Sequence, residues 1–325
     1  MKILIIGAGV LGSIYAAKLT QAGRDVTLLA RGARLAQLRD HGIVLESSYD
    51  GAQSVARVNL VETLRPEDEY DLALVIMRQN QAASVLPMLA ANTRIPAVAF
   101  LMNNADGGRA FRAALGDERV LLGFAGAGGL RREHVVVVST GKKGFEGLTI
   151  LGEARGGITP RLVEFAEVFA GSGLEAQLET DVDAWLKSHL AIVLPLALGI
   201  YAANGDVYRA ARTRAARALM VRGIKEGISG LKRLGVQVTP PKFHFFAAVP
   251  DALLVWFLSR MLATRFAEIS LAGHANAARD EMSYLSEQFY ALLRSSGAAL
   301  PAWERLYAFT DEQTALIPDG AKQIG

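Results

Sequence analysis

The chain of 325 residues contains no cysteine. This absence excludes disulfides, metal sites built on thiolates and cysteine nucleophiles. Its five histidines show no metal-ligand spacing, so we predict no metal site. A chain without disulfides is compatible with a reducing compartment, and we predict a cytoplasmic location.

A strong excess of charge is also missing. The formal net charge is +3, and no basic run is interleaved with aromatic residues, so we predict no nucleic-acid partner. The longest apolar stretch, residues 190–203, is shorter than the roughly 20 residues of a membrane helix and contains Pro195. A second apolar region, residues 243–258, is broken by Pro250-Asp251. We predict a core helix in the first region, buried helix or turn in the second, and no membrane partner, and a homodimer is left open.

The first twelve residues carry the most informative pattern. An apolar run from Ile3 to Ile6 is typical of a buried strand, and it leads directly into Gly7-x-Gly9-x-x-Gly12. In a dinucleotide-binding turn the first glycine allows a tight exit from the strand, the second lets backbone approach the pyrophosphate, and the third lets the helix pack closely. The start of that helix offers free N–H groups to phosphates. The spacing therefore predicts a dinucleotide site.

The residues that follow supply the context that this turn requires. Residues 13–22 have the pattern of a helix, Gly23 suits its end, and residues 25–30 are a second strand. Together they complete a β-α-β unit. A secretory signal is the alternative, because Lys2 precedes an apolar stretch. The immediate second strand and the lack of a small-residue cleavage site disfavour it.

The end of the second strand indicates which dinucleotide binds. NAD sites usually place Asp or Glu there to accept hydrogen bonds from the ribose 2′-hydroxyl, whereas this chain has Arg31, with Arg34 close behind. A guanidinium forms forked, charged hydrogen bonds with a 2′-phosphate. We therefore predict NADP as the cofactor, the alternative being a solvated arginine on a loop.

Short apolar segments alternate with helical stretches through the first half of the chain. Such alternation predicts a parallel, doubly wound sheet. The further strands are predicted at residues 72–77, 97–102 and 120–124.

The sequence pattern changes after these strands. Residues 134–139 and 148–151 have the pattern of two strands, and Gly141 to Gly144 would supply the turn between them. We predict an antiparallel hairpin added at the edge of the sheet.

Helical periodicity dominates the remainder of the chain. Residues 160–169 form a predicted helix, residues 175–179 a last strand, and the alternation stops at Val182. The chain is long enough for two domains. The predicted fold class is therefore α/β, with an N-terminal Rossmann-type NADP-binding domain in residues 1–178 and an all-helical substrate and catalytic domain in residues 179–325.

Several short patterns occur in a matching order along almost the whole chain. They are the glycine turn with Arg31, Arg78-Gln-Asn-Gln81, Asn103, Trp185-x-Lys187, Ser259-x-Met261-Leu262, and Asp280-Glu281-Met282. In this order the chain resembles the ketopantoate reductase (2-dehydropantoate 2-reductase) family. The resemblance implies an NADP-dependent oxidoreductase that reduces a small 2-keto acid, a reaction of pantothenate biosynthesis in that family.

The resemblance also implies roles for individual residues. Lys187 would protonate the carbonyl oxygen and stabilise the developing alkoxide. Glu281 would orient Lys187 or accept a substrate hydroxyl, and Ser259 would bind the substrate carboxylate. Arg78 and Asn103 would contact the cofactor, Asn103 through the nicotinamide carboxamide or the reacting oxygen. The ordinary alternatives are a solvated lysine, an exposed helical carboxylate, a capping serine and a turn-forming asparagine.

Two positions depart from the family. Ala191 and Pro195 stand where the family has asparagines that help to hold substrate, and the approach to Glu281 is longer here. These departures leave the substrate open. The alternatives are a reductase of the same fold that acts on another hydroxy or imino acid, and a non-catalytic NADP-binding sensor.

Overall fold

The computed structural model describes residues 1–139 and 147–323. The chain divides into two compact units, Met1–Asp183 and Ala184–Gly325. The sequence-based boundary follows residue 178, at the end of the last strand. The predicted Gly141 to Gly144 turn lies outside the described residues.

The first unit contains all twelve strands of the described residues. The strands are β1 Lys2–Ile6, β2 Asp25–Leu29, β3 Ile43–Ser47, β4 Gln53–Ala56, β5 Asn59–Val61, β6 Leu72–Val75, β7 Val98–Leu101, β8 Val120–Ala125, β9 Gly129–Arg132, β10 Val135–Val138, β11 Thr149–Glu153 and β12 Ala176–Leu178. Its α-helices are α1 Val10–Gln21, α2 Gly32–His41, α3 Leu86–Ala91, α4 Arg109–Leu115 and α5 Pro160–Ala166.

Eight strands form the main sheet, in the order β12-β11-β8-β7-β6-β1-β2-β5. The six strands from β8 to β5 run parallel, and the chain order reverses between β1 and β6. This reversal is the switch point at which doubly wound sheets bind ligands. The predicted Rossmann-type sheet is confirmed, as are its strands at residues 72–77, 97–102 and 120–124.

The predicted hairpin is wrong. Residues 135–138 form β10, which belongs to a second sheet, whereas residues 149–153 form β11 in the main sheet. β11 pairs antiparallel with β8, so the main sheet is mixed at this edge. A run of valines fits either sheet equally well, because strand propensity does not specify the partner strand.

The second sheet has four strands in the order β4-β3-β10-β9 and was not predicted. β10 lies parallel to β3 and antiparallel to β9. Strands of this sheet pack against α1, the helix that follows the glycine turn. The small sheet therefore borders the predicted dinucleotide site.

The second unit contains helices and no strand in its described residues, which confirms the predicted all-helical domain. Its helices are α6 Val182–Tyr201, whose first two residues belong to the first unit, α7 Val207–Arg212, α8 Arg214–Arg233, α9 His244–Ala248, α10 Asp251–Leu262, α11 Arg265–Ala267, α12 Gly273–Ala277, α13 Arg279–Arg294 and α14 Pro301–Ala308.

Helix α6 is longer than the apolar stretch predicted from the sequence. By length and composition it is apolar enough to cross a membrane, but most of it is buried inside the protein, as in the core helix of a globular domain. The segments at residues 241–248 and 251–262 pass the same test only if they count as one bent span. The expectation that residues 243–258 are buried is wrong for Leu253, Trp256 and Phe257, which are more than half exposed on α10.

Candidate functional site

The glycine turn between β1 and α1 has the geometry that a phosphate-binding turn requires. Gly7 has a φ of +116°, and a Cβ there would lie 2.2 Å from the carbonyl oxygen of Ile76. A Cβ at Gly12 would lie 1.7 Å from the carbonyl oxygen of Gly7. A Cβ at Gly9 would meet nothing within 4 Å. Gly7 and Gly12 are thus needed for packing, whereas Gly9 faces open space where a pyrophosphate fits.

The residues predicted to bind cofactor lie along one edge of the main sheet. Arg31 follows β2, the glycine turn follows β1, Arg78 lies three residues after β6, and Asn103 lies two residues after β7. Since β2, β1, β6 and β7 are neighbouring parallel strands, these residues share their carboxyl edge. Three strand spacings make this row about 14 Å long. The row extends from Arg31 at one end to Asn103 at the other.

Arg31 and Arg34 occupy the start of α2 in different ways. Arg31 is the exposed N-cap residue, and its Nε donates to the carbonyl oxygen of Glu62 at 3.3 Å. Arg34 is half-buried; its Nε donates to the carbonyl oxygen of Ala8 at 3.2 Å and its Nη2 to Ser13 Oγ at 3.0 Å. Burial and the nearby charge of Arg131 lower the pKa of Arg34. The sequence placed Arg34 near this site but did not show that it lies on the glycine turn.

Two neighbouring asparagines at the end of β7 have different environments. The Oδ1 of Asn104 accepts hydrogen bonds from the backbone N–H groups of Asp106 and Gly108. Asn103 is 7% exposed, and within the described part of the chain its Oδ1 is buried without a hydrogen-bond partner. A buried amide oxygen without a partner is costly, which favours a ligand group as its partner. The turn is therefore made by Asn104, a role that the sequence assigned to Asn103 as an alternative.

Arg78 stands at the N-cap of a short 3-10 helix, Gln79–Val85, three residues after the carboxyl end of β6. Its side chain is half-buried, and that of Gln79 is buried. Arg78 therefore lies at the carboxyl edge of the sheet, and its contact with the cofactor stays a prediction.

In the helical unit, Lys187 lies half-buried on the first turns of α6. Beside it, the Ser188 hydroxyl donates to the carbonyl oxygen of Ala184 at 2.7 Å and accepts from the backbone N–H of Thr239 at 3.1 Å. Trp185 stacks on His189 with ring centroids 5.1 Å apart. The turn that carries Lys187 is therefore held by the contacts of its neighbours Trp185 and Ser188.

The pKa of His189 lies well below the ordinary value of 6.5. Burial, with a smaller contribution from the charge of His274, lowers the pKa of His189 to about 4. The imidazole is therefore neutral at physiological pH.

The other two predicted residues lie on two further helices of this unit. Glu281 is 4% exposed in the first turn of α13, so it is not the exposed carboxylate of the ordinary alternative. The Ser259 hydroxyl on α10 donates to the carbonyl oxygen of Trp256 at 2.6 Å. Glu281 is thus buried, whereas Ser259 already has a local partner.

The two departures from the family lie where α6 and α8 approach closely through small residues. Three pairs meet along this seam: Ala191 with Gly227, Pro195 with Gly223, and Gly199 with Met220. A Cβ at Gly227 would lie only 3.2 Å from the Cβ of Ala191. The seam leaves no room for an asparagine side chain at position 191, so the departures are explained by packing.

No group of three or more metal-binding side chains occurs in residues 1–139 and 147–323. The geometry of the first unit, by contrast, fits a dinucleotide. The open face at Gly9 and the buried oxygen of Asn103 are the two features that such a ligand would occupy.

Sequence comparison relates part of the chain to known proteins. Residues 3–155 match the family model described as "Ketopantoate reductase PanE/ApbA". The 2-dehydropantoate 2-reductase of Mesorhizobium japonicum is 30% identical over 213 residues, which cover 58% of this chain and 63% of that protein. The same enzyme of Pyrococcus abyssi is 26% identical over 191 residues, 57% of this chain and 59% of that protein. The match thus spans about six-tenths of these relatives.

Structural comparison extends over nearly the whole chain. The 2-dehydropantoate 2-reductase of Geobacter metallireducens GS-15 superposes with a TM-score of 0.79 at 22% identity, covering 97% of this chain and 100% of that one. D-mandelate dehydrogenase, solved with NADH and anilino(oxo)acetate, superposes with a TM-score of 0.77 at 16% identity, covering 95% of this chain and 97% of that one. At these identities the likeness shows the fold. Residues 3–155 thus match the ketopantoate reductase family, in agreement with the resemblance predicted from the sequence.

Proposed function

We propose that the protein is an NADPH-dependent oxidoreductase that reduces a small 2-keto acid, in a reaction like that of 2-dehydropantoate to pantoate. The observation that carries this proposal is the row of groups at the carboxyl edge of the sheet. Arg31, the open glycine turn, Arg78 and Asn103 follow one another in the order of the parts of an extended dinucleotide.

The chain's own residues would hold the cofactor as follows. The backbone N–H groups at the start of α1 would bind the pyrophosphate, since Gly9 leaves that space open. Asn103 would accept a hydrogen bond from the nicotinamide carboxamide through its buried Oδ1. Arg31 would bind a 2′-phosphate, which favours NADPH over NADH. When bound, the cofactor supplies the hydride for the reduction.

The helical unit would supply the proton and the substrate contacts. Lys187 would donate a proton to the carbonyl oxygen of the keto acid and stabilise the negative charge that develops there. The buried carboxylate of Glu281 would orient Lys187 or accept a substrate hydroxyl, and Ser259 would bind the substrate carboxylate. These roles rest on the family resemblance and on the positions of the three residues on α6, α13 and α10.

A second candidate keeps the chemistry and changes the substrate. Ala191 and Pro195 belong to the α6–α8 seam, so the asparagines that help to hold substrate in the family have no counterpart at these positions. The fold also serves an enzyme for another hydroxy acid, because D-mandelate dehydrogenase shares it. A different hydroxy or imino acid is therefore the alternative substrate, and a non-catalytic NADP-binding sensor is the alternative class.

An anaerobic assay of NADPH oxidation against a panel of 2-keto acids and imino acids tests these candidates. Oxidation with ketopantoate supports the proposal and identifies the substrate. Oxidation with another 2-keto acid supports the proposed class of reaction with the alternative substrate. Oxidation only with an imino acid supports the alternative substrate. Binding of NADPH without oxidation by any compound contradicts the proposed enzyme and supports a sensor.

The cofactor preference is tested by fluorescence titration. Wild-type protein should bind NADPH about tenfold or more tightly than NADH if one charged, forked contact is made. Arg31→Glu should reverse that preference. Equal dissociation constants in the wild type would contradict the role of Arg31.

A further inference from the structure

Arg34 is held in one position at the glycine turn. Its guanidinium donates to the carbonyl oxygen of Ala8, to Ser13 Oγ and, at 3.4 Å, to Gln37 Oε1. These acceptors carry no formal charge. The positive charge of Arg34 is thus fixed beside the turn by neutral groups.

A second arginine, Arg131 of the small sheet, lies near Arg34. Gly129, the first residue of β9, lies against the first residue of α1, because a Cβ there would lie 3.3 Å from Val10 Cγ1. Alternate residues of a strand share one face, so Arg131 points to the same side as Gly129. Burial and then the charge of Arg131 lower the pKa of Arg34, so Arg131 lies near that guanidinium.

The pair has no acidic partner in the described part of the chain. Burial and the charge of Arg131 cause the pKa shift of Arg34. Among the described residues, neither arginine makes an ion pair with Asp or Glu. Two like charges held together destabilise a fold, and an anion between them removes that repulsion. The pair stands beside the phosphate-binding turn, where a guanidinium forms strong hydrogen bonds with phosphate oxygens.

We propose that Arg131 and Arg34 together bind a phosphate group of the dinucleotide, so that the small sheet is part of the cofactor site. The inference rests on the proposed dinucleotide binding and adds to it a residue from β9. The phosphate is either the 2′-phosphate of NADPH or the pyrophosphate common to NADPH and NADH.

Calorimetric titration of NADPH and NADH into wild-type protein, Arg131→Gln and Arg132→Gln tests this inference. Arg132 is the matched control, because it is the next residue of β9, is also exposed and points to the opposite face. Arg131→Gln should raise the dissociation constant of NADPH about tenfold or more, and Arg132→Gln should change it less than about twofold. A weakening for NADPH alone identifies the 2′-phosphate, and a weakening for both identifies the pyrophosphate.

Thermal unfolding of the same proteins separates binding from stability. Without dinucleotide, Arg131→Gln should unfold at the wild-type temperature or higher, because the repulsion is removed. Addition of NADPH should raise the unfolding temperature of Arg131→Gln by less than it raises that of the wild type. Affinities for both dinucleotides equal to wild type in Arg131→Gln would overturn the inference alone. A wild-type protein that binds neither dinucleotide would overturn the proposed function as well.

Discussion

The Oδ1 of Asn104 accepts a hydrogen bond from the backbone N–H of Gly108 at 3.0 Å, across the turn that follows β7. This contact gives the two adjacent asparagines separate tasks. Asn104 closes the turn, whereas Asn103 keeps a buried oxygen that no described residue satisfies. The dipeptide thus combines one structural residue with one residue suited to a ligand.

Alanine at these two positions should have opposite effects. Asn103→Ala should lower affinity for NADPH and turnover but leave the free energy of unfolding unchanged or higher, because it removes an unsatisfied acceptor. Asn104→Ala should cost about 1–3 kcal/mol of stability, because two backbone N–H groups lose their acceptor. Urea unfolding and NADPH titration of both variants measure this. A destabilised Asn103→Ala with wild-type NADPH affinity would assign Asn103 to the turn.

The glycines of the phosphate turn should also separate binding from folding. Gly9→Val should abolish dinucleotide binding in a folded protein, because Gly9 has a φ of −75° and open space around its Cβ position. Gly7→Ala is the contrasting variant, since its Cβ would collide with the carbonyl oxygen of Ile76 and its φ is positive. It should destabilise the fold itself. Circular dichroism and NADPH titration distinguish the two, and wild-type affinity in folded Gly9→Val would place the nucleotide elsewhere.

The main sheet could be predicted because each of its parallel strands is recognisable from neighbouring residues alone. Gly7, Gly9 and Gly12 follow a buried strand directly, and each later parallel strand is an apolar run flanked by helix. The same local reasoning failed for β10. Its partner β3 is about ninety residues earlier in the chain, and pairing over that separation leaves no mark in a run of valines.

The candidate site shows the same limit. The position of Asn103 after a strand was evident from the sequence, but its unsatisfied oxygen depends on Asn104 taking the turn. The approach of Arg131 to Arg34 depends on the small sheet, which local patterns did not predict. The requirement for a small residue at position 191 likewise depends on Gly227 of the facing helix, a contact that the local sequence does not indicate.

Position 191 should not accept the asparagine of the family. Ala191 is fully buried, and the position of a Cβ at Gly227 lies 3.2 Å from its Cβ, so Ala191→Asn overpacks the seam and buries a polar amide. We expect a loss of about 1–3 kcal/mol in the free energy of unfolding. Ala252→Asn on exposed α10 is the control for helix propensity and should cost less than about 1 kcal/mol. Equal stability of the two variants in urea would contradict the tight seam.

His189 should make the stability of the protein sensitive to acid. Its pKa in the folded protein is about 4, below the ordinary value of 6.5, so the folded state prefers the neutral imidazole. The stabilisation is therefore complete above pH 6.5 and is lost as the pH falls from 6.5 through 4. The slope from this one group is at most about 1.4 kcal/mol per pH unit. Urea unfolding of His189→Gln across this range should show a smaller slope than wild type, and an equal slope would contradict the prediction.

The last prediction concerns turnover and rests on Lys187, which lies half-buried between Trp185 and Ser188 on α6. If Lys187 protonates the carbonyl oxygen as hydride arrives, Lys187→Ala should lower turnover by roughly two to four powers of ten. The affinity for NADPH should stay nearly the same, because the proposed dinucleotide contacts come from the first unit. Lys187→Arg is the matched variant: it keeps the positive charge but is a poor proton donor, so it should recover less than full turnover. Steady-state kinetics on the best substrate of the panel, with NADPH titration in parallel, measure both quantities, and wild-type turnover in Lys187→Ala would remove this lysine from the mechanism.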